Sequence, residues 1–280
     1  MSKGALLIAR NNSELDYIKQ AIFCAERIKK YVEIPVTLIT DNRDYLLKTY
    51  KDKADVFDEI IEIPNTTNYT YRKYNDGNFT RRNLEFKNNS RSLAYELSPY
   101  EETLLLDTDY IVGNDVFKQC FEQPHDFLIY KDAFELSGYR DTKEFEYISE
   151  TGPEFYWATC VFFRKTSENK MFFDLIKHLQ DNWFYYQNIY DIQGKSFRND
   201  FAFSIAIHIM NGYKSNNEFA KNMPGTMFYT TDKDVLLKLQ DESFKFLVEY
   251  KDGSYFPASI TGSNVHVMNK YSLNRIIDNA

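Results

Sequence analysis

Three short apolar runs open this chain: Ala5-Leu6-Leu7-Ile8-Ala9, Pro35-Val36-Thr37-Leu38-Ile39-Thr40 and Ile60-Ile61-Glu62-Ile63. A strand that is apolar on both faces has to be covered on both faces, the condition met inside a parallel sheet with helices above and below. After the first run, Ser13-Glu14-Leu15-Asp16 has the form of a capping box with Asp in place of Glu. Leu15, Ile18, Ile22, Ala25 and Ile28 then recur at helical spacing. The spacing predicts a helix to about Lys30 and a β-α-β-α-β order, hence a mainly parallel sheet flanked by helices.

A further apolar run, Thr103-Leu104-Leu105-Leu106, ends in Asp107-Thr108-Asp109. In an extended backbone residues two apart project to the same side, so both carboxylates can face one point beyond the strand end. Charge at a core boundary is costly unless it is paired or metal-bound. Hard carboxylate oxygens suit Mg²⁺ or Mn²⁺, which in turn suit phosphate oxygens. The pair therefore predicts a divalent-cation site; the plainer alternative is an exposed turn after a strand. In open α/β sheets ligands bind outside the carboxyl ends of the strands. Ala9-Arg10-Asn11, Thr40-Asp41 and Asp107-Thr108-Asp109 should then gather along one cleft.

Between 65 and 89 the periodicity is lost, which reads as a long loop carrying Arg72, Lys73, Arg81, Arg82 and Lys87 against Asp76 and Glu85. Its basic side chains could meet a donor phosphate, a polyanionic acceptor or only water. Residues 90–98 form a short helix with Leu93, Ala94 and Leu97 on one face, stopped by Pro99. In the second half, Phe127-Leu128-Ile129-Tyr130 and Thr159-Cys160-Val161-Phe162-Phe163 read as strands, and 169–187 and 199–211 as helices, the latter closed by Gly212. Segments 227–229, 244–248 and 265–268 could add edge strands. No repeat or linker interrupts the chain, so one mixed α/β domain over 1–280 is expected.

Composition narrows the function. With 280 residues the chain can bury a sizeable core, and its net charge of −7 argues against a generic polyanion binder. Cys24, Cys120 and Cys160 are few and sit in apolar or amphipathic surroundings, which fits a reducing compartment, the cytoplasm by default. There is no succession like a signal peptide and no apolar run of membrane-spanning length.

The N-terminal β-α-β half, the aspartate pair and a late histidine together resemble the DxD glycosyltransferases of the GT-A fold, nearest to the glycogenin and bacterial galactosyltransferase family. The residues that carry the resemblance are Leu7-Ile8-Ala9-Arg10-Asn11, Arg91 and Ala94 ahead of Leu104-Leu105-Leu106-Asp107-Thr108-Asp109, Asn199-Asp200 opening a helix, and Val265-His266-Val267-Met268-Asn269-Lys270. The resemblance implies a nucleotide-diphosphate sugar donor, a uridine diphosphate sugar above others, and a bound Mn²⁺ or Mg²⁺. It implies that Asp107, Asp109 and His266 hold the metal. Ala9, Arg10, Asn11, Thr40 and Asp41 would line the base and ribose pocket, Arg91 and Thr108 would approach the donor, and Lys270 the diphosphate. Asn199 and Asp200 would serve catalysis beside the sugar or the acceptor. The donor would be held by 1–112, and the acceptor and the late metal ligand by 113–280. The family pattern has His, then Gly, then Lys six residues after the His; here Lys270 follows His266 by four with no Gly between.

Other readings of these residues stay open. His266 between two valines could be a packed structural histidine, Asp200 could simply favour the positive end of its helix, and Asn11 or Asn12 could assist a cap. Phe155-Tyr156-Trp157-Ala158-Thr159 could be a platform for sugar rings or mostly core. A saccharide acceptor is the family default. A modified DNA base, as in some viral glycosyltransferases, is the alternative suggested by the basic loop. Outside this class stand a haloacid-dehalogenase-like phosphatase, a sugar nucleotidyltransferase and a degenerate sugar-binding module. The phosphatase pattern wants Thr or Val where Ile111 stands, and the nucleotidyltransferase wants glycines that Ala9-Arg10-Asn11-Asn12-Ser13 lacks.

Overall fold

The computed structural model of the chain describes residues 2–65, 69–87, 89–138, 140, 145–194, 196–215, 218–240, 242–250 and 252–278. β1 (Lys3–Ala9), α1 (Tyr17–Tyr31), β2 (Val36–Thr40), α2 (Arg43–Thr49) and β3 (Glu59–Glu62) follow in the expected order. β1 and β2 run parallel, Ala5 opposite Val36 through Ala9 opposite Thr40, and β3 lies parallel to β2. The start of α1 differs from the expected box. The N-cap is Asp16, whose carboxylate accepts from Lys19 N at 3.0 Å. Asn12 Oδ1 accepts from the N–H groups of Glu14 and Leu15 at 3.0 and 2.9 Å, so a local side-chain turn uses up the residues that the box would have needed.

The basic stretch expected as a loop is a hairpin. β4 (Thr70–Asp76) and β5 (Thr80–Phe86) pair antiparallel, Thr70 opposite Phe86, around a turn where Gly77 has φ +61°. In each strand one residue is buried, Tyr74 and Leu84, and the rest carry polar side chains or are partly exposed. A single buried position per strand leaves no apolar alternation to read. Positions 66–68 and 88 of the expected loop lie outside the described residues.

A 3₁₀ turn and α3 (Ala94–Leu97) lead to β6 (Glu102–Leu106), parallel to β1 with Leu7 opposite Leu106. β7 (Tyr110–Ile111), β8 (Phe127–Tyr130), β9 (Ala133–Glu135), β10 (Trp157–Arg164), α4 (Ser167–Asp181), α5 (Trp183–Ile189), α6 (Asn199–Met210) and β11 (Lys221–Asn222) follow. Among the described residues the main sheet has seven strands in the order β11-β8-β10-β6-β1-β2-β3. β10 is antiparallel to both of its neighbours and the other pairings are parallel, so the sheet is mixed and mainly parallel. The expected helix over 169–187 is two helices. At the break, the backbone and side-chain N–H groups of Asn182 both bond back to His178 O, at 3.0 and 2.9 Å.

The chain ends with β12 (Met227–Thr230), β13 (Val235–Gln240), β14 (Ser243–Glu249), β15 (Tyr255–Thr261), β16 (Val265–Val267) and α7 (Lys270–Ile277). The late segments do not edge the main sheet. β12 and β16 lie inside a second sheet, β7-β16-β12-β9, and β14 is the middle strand of the antiparallel sheet β13-β14-β15. The main core spans both faces of the large sheet, and a smaller one around Phe244, Phe246, Val248 and Leu273 seals the late strands. Among the described residues no helix is long and apolar enough to cross a membrane.

Candidate active site

The parallel register of β1, β2 and β6 sets Arg10, Asp41 and Asp107 along one edge. Asp107 N donates to Thr159 O of the neighbouring strand at 2.8 Å, and the chain then turns into β7. β16 lies antiparallel on β7 with His266 opposite Tyr110, and Val267 N donates to Asp109 O at 2.9 Å. This pairing across the second half of the chain delivers the histidine to the aspartates. His266 Nε2 lies 3.2 Å from Asp109 Oδ2 and 4.0 Å from Asp107 Oδ2. Each of the three residues offers a ligand atom within 4.8 Å of the others.

Two cations balance the carboxylates. Arg91 donates to Asp107 Oδ1 and Lys270 to Asp109 Oδ2. Lys270 reaches the site because Asn269 caps α7, accepting from Ser272 N at 3.0 Å and donating to Asp234 O at 2.8 Å. The compact step from His266 to Lys270 is thus a strand end followed directly by a capped helix. Burial alone would raise both aspartates. For Asp107 it wins, with Asp109 adding to it and Arg91 opposing, so that carboxyl sits above its ordinary value. For Asp109, Lys270 and His266 overcome burial and hold the carboxyl well below its ordinary range. Two carboxylates and one imidazole nitrogen, with the buried His266 Nδ1 left unpaired, are a donor set that fits Mn²⁺ or Mg²⁺.

These groups face a cavity of about 1010 Å³, its open mouth included. Arg10, Arg91, Asp107, Thr108, Asp109, Asn199, Asp200, His266 and Lys270 are on its wall. Ala9, Asn11, Thr40 and Asp41 are not. Ala9 and Thr40 are buried in their strands, and Thr40 Oγ1 accepts from Asn42 N at 2.9 Å. Asn11 braces the start of α1, accepting from Ile18 N at 3.1 Å and donating to Asp16 at 3.2 Å. Asp41 lies behind the wall and holds Arg10 at 3.1 Å and Lys87 at 3.3 Å. Arg10 also donates to Ser90 Oγ at 3.2 Å.

The wall also takes in residues of the basic stretch and of 155–159, and three that carried no sequence signal of their own, Tyr17, Phe86 and Arg198. The hairpin contributes Arg72, Phe86 and Lys87, with the Arg72 guanidinium 5.3 Å from the Phe86 ring centre. Lys73, Arg81 and Arg82, from the same basic stretch, are off the wall, and Arg82 pairs with Glu14 at 3.8 Å. Tyr17, the first residue of α1, lines the cavity and shares a 3.1 Å hydrogen bond with the hydroxyl of Tyr74. The tract 155–159 is mostly core: Trp157 is 1% exposed and packs on Phe145 and Tyr229 at ring distances of 4.8 and 4.9 Å. Trp157, Ala158 and Thr159 nonetheless reach the wall, as does Arg198. Asp200 accepts from Ala158 N at 3.0 Å through Oδ1 and pairs with Arg198 at 3.1 Å through Oδ2.

No family model and no curated protein sequence matches the chain. Solved structures of three glycosyltransferases are similar to it at low identity. GlyE of Streptococcus pneumoniae TIGR4 superposes with a TM-score of 0.43 at 10% identity, over 79% of this chain and 45% of its own. The galactosyltransferase LgtC, in complex with donor and acceptor sugar analogs, gives 0.45 at 11% identity over 71% and 68%. Mouse xyloside xylosyltransferase 1 gives 0.46 at 10% identity over 79% and 85%. The chain spans less than half the length of GlyE. Similarity of this depth lends no residue role to this chain.

Proposed function

We propose that the chain is a metal-dependent GT-A glycosyltransferase that moves a sugar from a nucleotide-diphosphate sugar, specifically a uridine diphosphate sugar, to a hydroxyl acceptor such as a saccharide. The observation that carries this reading is the convergence of Asp107, Asp109 and His266 with Arg91 and Lys270 on one cavity with room for a nucleotide and a sugar. Asp107, Asp109 and His266 would hold Mn²⁺ or Mg²⁺. A bound divalent ion supplies Lewis-acid stabilisation of a leaving diphosphate.

Arg91 and Lys270 stand at the same place with fixed positive charge, which favours the transition state in which the bond from sugar carbon to phosphate oxygen breaks. Arg10, with Asp41 and Lys87 behind and beside it, forms the part of the wall next to the β1 and β2 ends, where base and ribose would sit. The acceptor hydroxyl forms the new glycosidic bond and gives up its proton. Asn199 and Asp200 at the first turn of α6 are the residues assigned to meet it. In this reading 1–112 binds the donor and 113–280 brings the acceptor wall and His266. The three cysteines are buried and unpaired, which supports a reducing, cytoplasmic setting.

A phosphatase of the aspartyl type fits less well. Its pattern wants Thr or Val two residues after the second aspartate, where this chain has Ile111. The test is donor hydrolysis across a panel of nucleotide sugars, with Mn²⁺ or with chelator, beside Asp109→Ala. Mn²⁺-dependent release of a nucleoside diphosphate from one donor, reduced at least about 100-fold in the variant, is the expected result. No release and no metal-dependent binding of any donor would overturn the reading.

A further inference from the structure

The cations on the cavity wall do not share its carboxylates evenly. Arg91 has Asp107, Lys270 has Asp109 and Arg198 has Asp200. At the hairpin end, Arg10 and Lys87 both bond to one oxygen of Asp41, at 3.1 and 3.3 Å. Arg72 has no carboxylate, and its side chain makes no hydrogen bond or ion pair among the described residues. Without a metal, the uncompensated positive charge of the wall therefore lies on the side of the β4–β5 hairpin.

The construction of the hairpin places Arg72. Side chains alternate along a strand, and residues directly opposite in a pair share a face. Arg72 thus lies on one face with Tyr74 and Asp76 of β4 and with Phe86, Leu84 and Arg82 of β5. That face is turned to the body of the protein: Tyr74 and Leu84 are buried, Tyr74 shares a hydrogen bond with Tyr17, Asp76 pairs with Arg275 and Arg82 with Glu14. These anchors fix the backbone that carries Arg72 and leave its guanidinium without an acceptor. An exposed arginine is ordinarily satisfied by water. This one is laid over two rings of its own face, 5.3 Å from the centre of Phe86 and 5.9 Å from that of Tyr74, and both Arg72 and Phe86 are on the cavity wall. A guanidinium held against a ring still has N–H groups to donate. Its charge is also felt inside the cavity. Burial and Tyr74 push the phenol of Tyr17 up, Asp109 adds to this and Arg72 opposes it, so the unpaired arginine and a carboxylate of the candidate metal site act on one hydroxyl of the wall.

We infer that Arg72 binds the diphosphate of the nucleotide-sugar donor, so that the hairpin supplies a phosphate ligand in addition to Arg91 and Lys270. The diphosphate is the anion that the proposed function brings into this cavity. The planar guanidinium can meet two phosphate oxygens in parallel, and its fixed charge favours the further negative charge that develops on the diphosphate as it departs. This rests on the transferase reading and adds to it a residue from outside both the aspartate strand and the His266 segment.

The test is a calorimetric comparison of uridine and UDP, each with Mn²⁺, on the wild type, Arg72→Gln and Arg72→Lys. If the wild type prefers GDP, ADP or CDP, that diphosphate and its nucleoside take their place. Arg72→Gln should weaken UDP binding about tenfold or more and leave uridine binding unchanged. Arg72→Lys, which keeps the charge without the fork, should fall between. The ratio of the two affinities is read within each protein, so a general loss of stability does not mimic the effect. Equal UDP affinity in the wild type and Arg72→Gln would overturn the inference. So would an equal loss for uridine and UDP, which would assign Arg72 to the nucleoside. Failure of the wild type to bind any of the four nucleoside diphosphates would bring down the transferase reading and this inference with it.

Discussion

Lys270 shows how single residues set this site. Its ammonium is buried against Asp109, beside a second carboxylate and an imidazole. Breaking one partner of a buried pair leaves a charge without compensation, at a cost of about 3 kcal/mol. Lys270→Met should therefore lower the unfolding free energy of the metal-free protein, measured by urea denaturation, by an amount of that order. Mn²⁺ should restore much of the loss, because the ion replaces the missing cation; equal losses with and without Mn²⁺ would mean that the carboxylates do not hold it. At this scale the aspartates were legible in the sequence, since two acids directly after the buried run Leu104-Leu105-Leu106 need a counter-charge or a metal to be stable there. Arg198 was not: an arginine ahead of a helix forms no pattern, and its place emerges only from Asp200 and Ala158. Nor was the bracing role of Asn11, which depends on how the turn into α1 closes around Asn12.

The β4–β5 hairpin is tied down by hydrogen bonds to several segments, Asn75 Nδ2 to Asp232 at 2.8 Å among them, and by the ion pair of Asp76 with Arg275 of α7, at 2.6 and 2.9 Å. Burial alone would raise the Asp76 carboxyl, but the hydrogen bonds and charge of Arg275, helped by Asn269, hold it below its ordinary value. A carboxyl depressed in the folded state adds stability above its unfolded pKa of about 3.9 and loses that contribution as the pH falls through the folded value. Asp76→Asn should thus cost about 1 kcal/mol near neutral pH, a modest amount because Arg275 is half exposed, and progressively less as the pH falls through the folded value. Thermal unfolding of both proteins across that range checks it; a difference independent of pH would contradict the role given to the ion pair. The hairpin was invisible in sequence for a physical reason. It covers a site, so its side chains serve the cavity and solvent, and one buried residue per strand leaves no periodic signal. α1, by contrast, buries a full face against the main sheet, and its spacing showed it.

Across the whole molecule, the sheet of the first half followed from local pattern because β1, β2 and β6 are buried on both faces. In the second half β8, β10 and α6 followed from local pattern too, but the way the late strands assemble did not. His266 joins the aspartates through β16 lying on β7, a pairing between segments far apart in sequence, and a three-residue strand gives periodicity nothing to work with. That long-range pairing makes the site a property of the complete fold, with ligands from both halves of the chain around one cavity. Its central claim is that Asp107, Asp109 and His266 hold a divalent ion together with a nucleoside diphosphate. The most direct measurement is a calorimetric titration of Mn²⁺ into the protein with and without UDP, repeated for Asp109→Ala. The account predicts at least about tenfold tighter Mn²⁺ binding in the presence of UDP, and loss of that coupling in the variant. Mn²⁺ binding that is the same in both proteins and indifferent to UDP would contradict it.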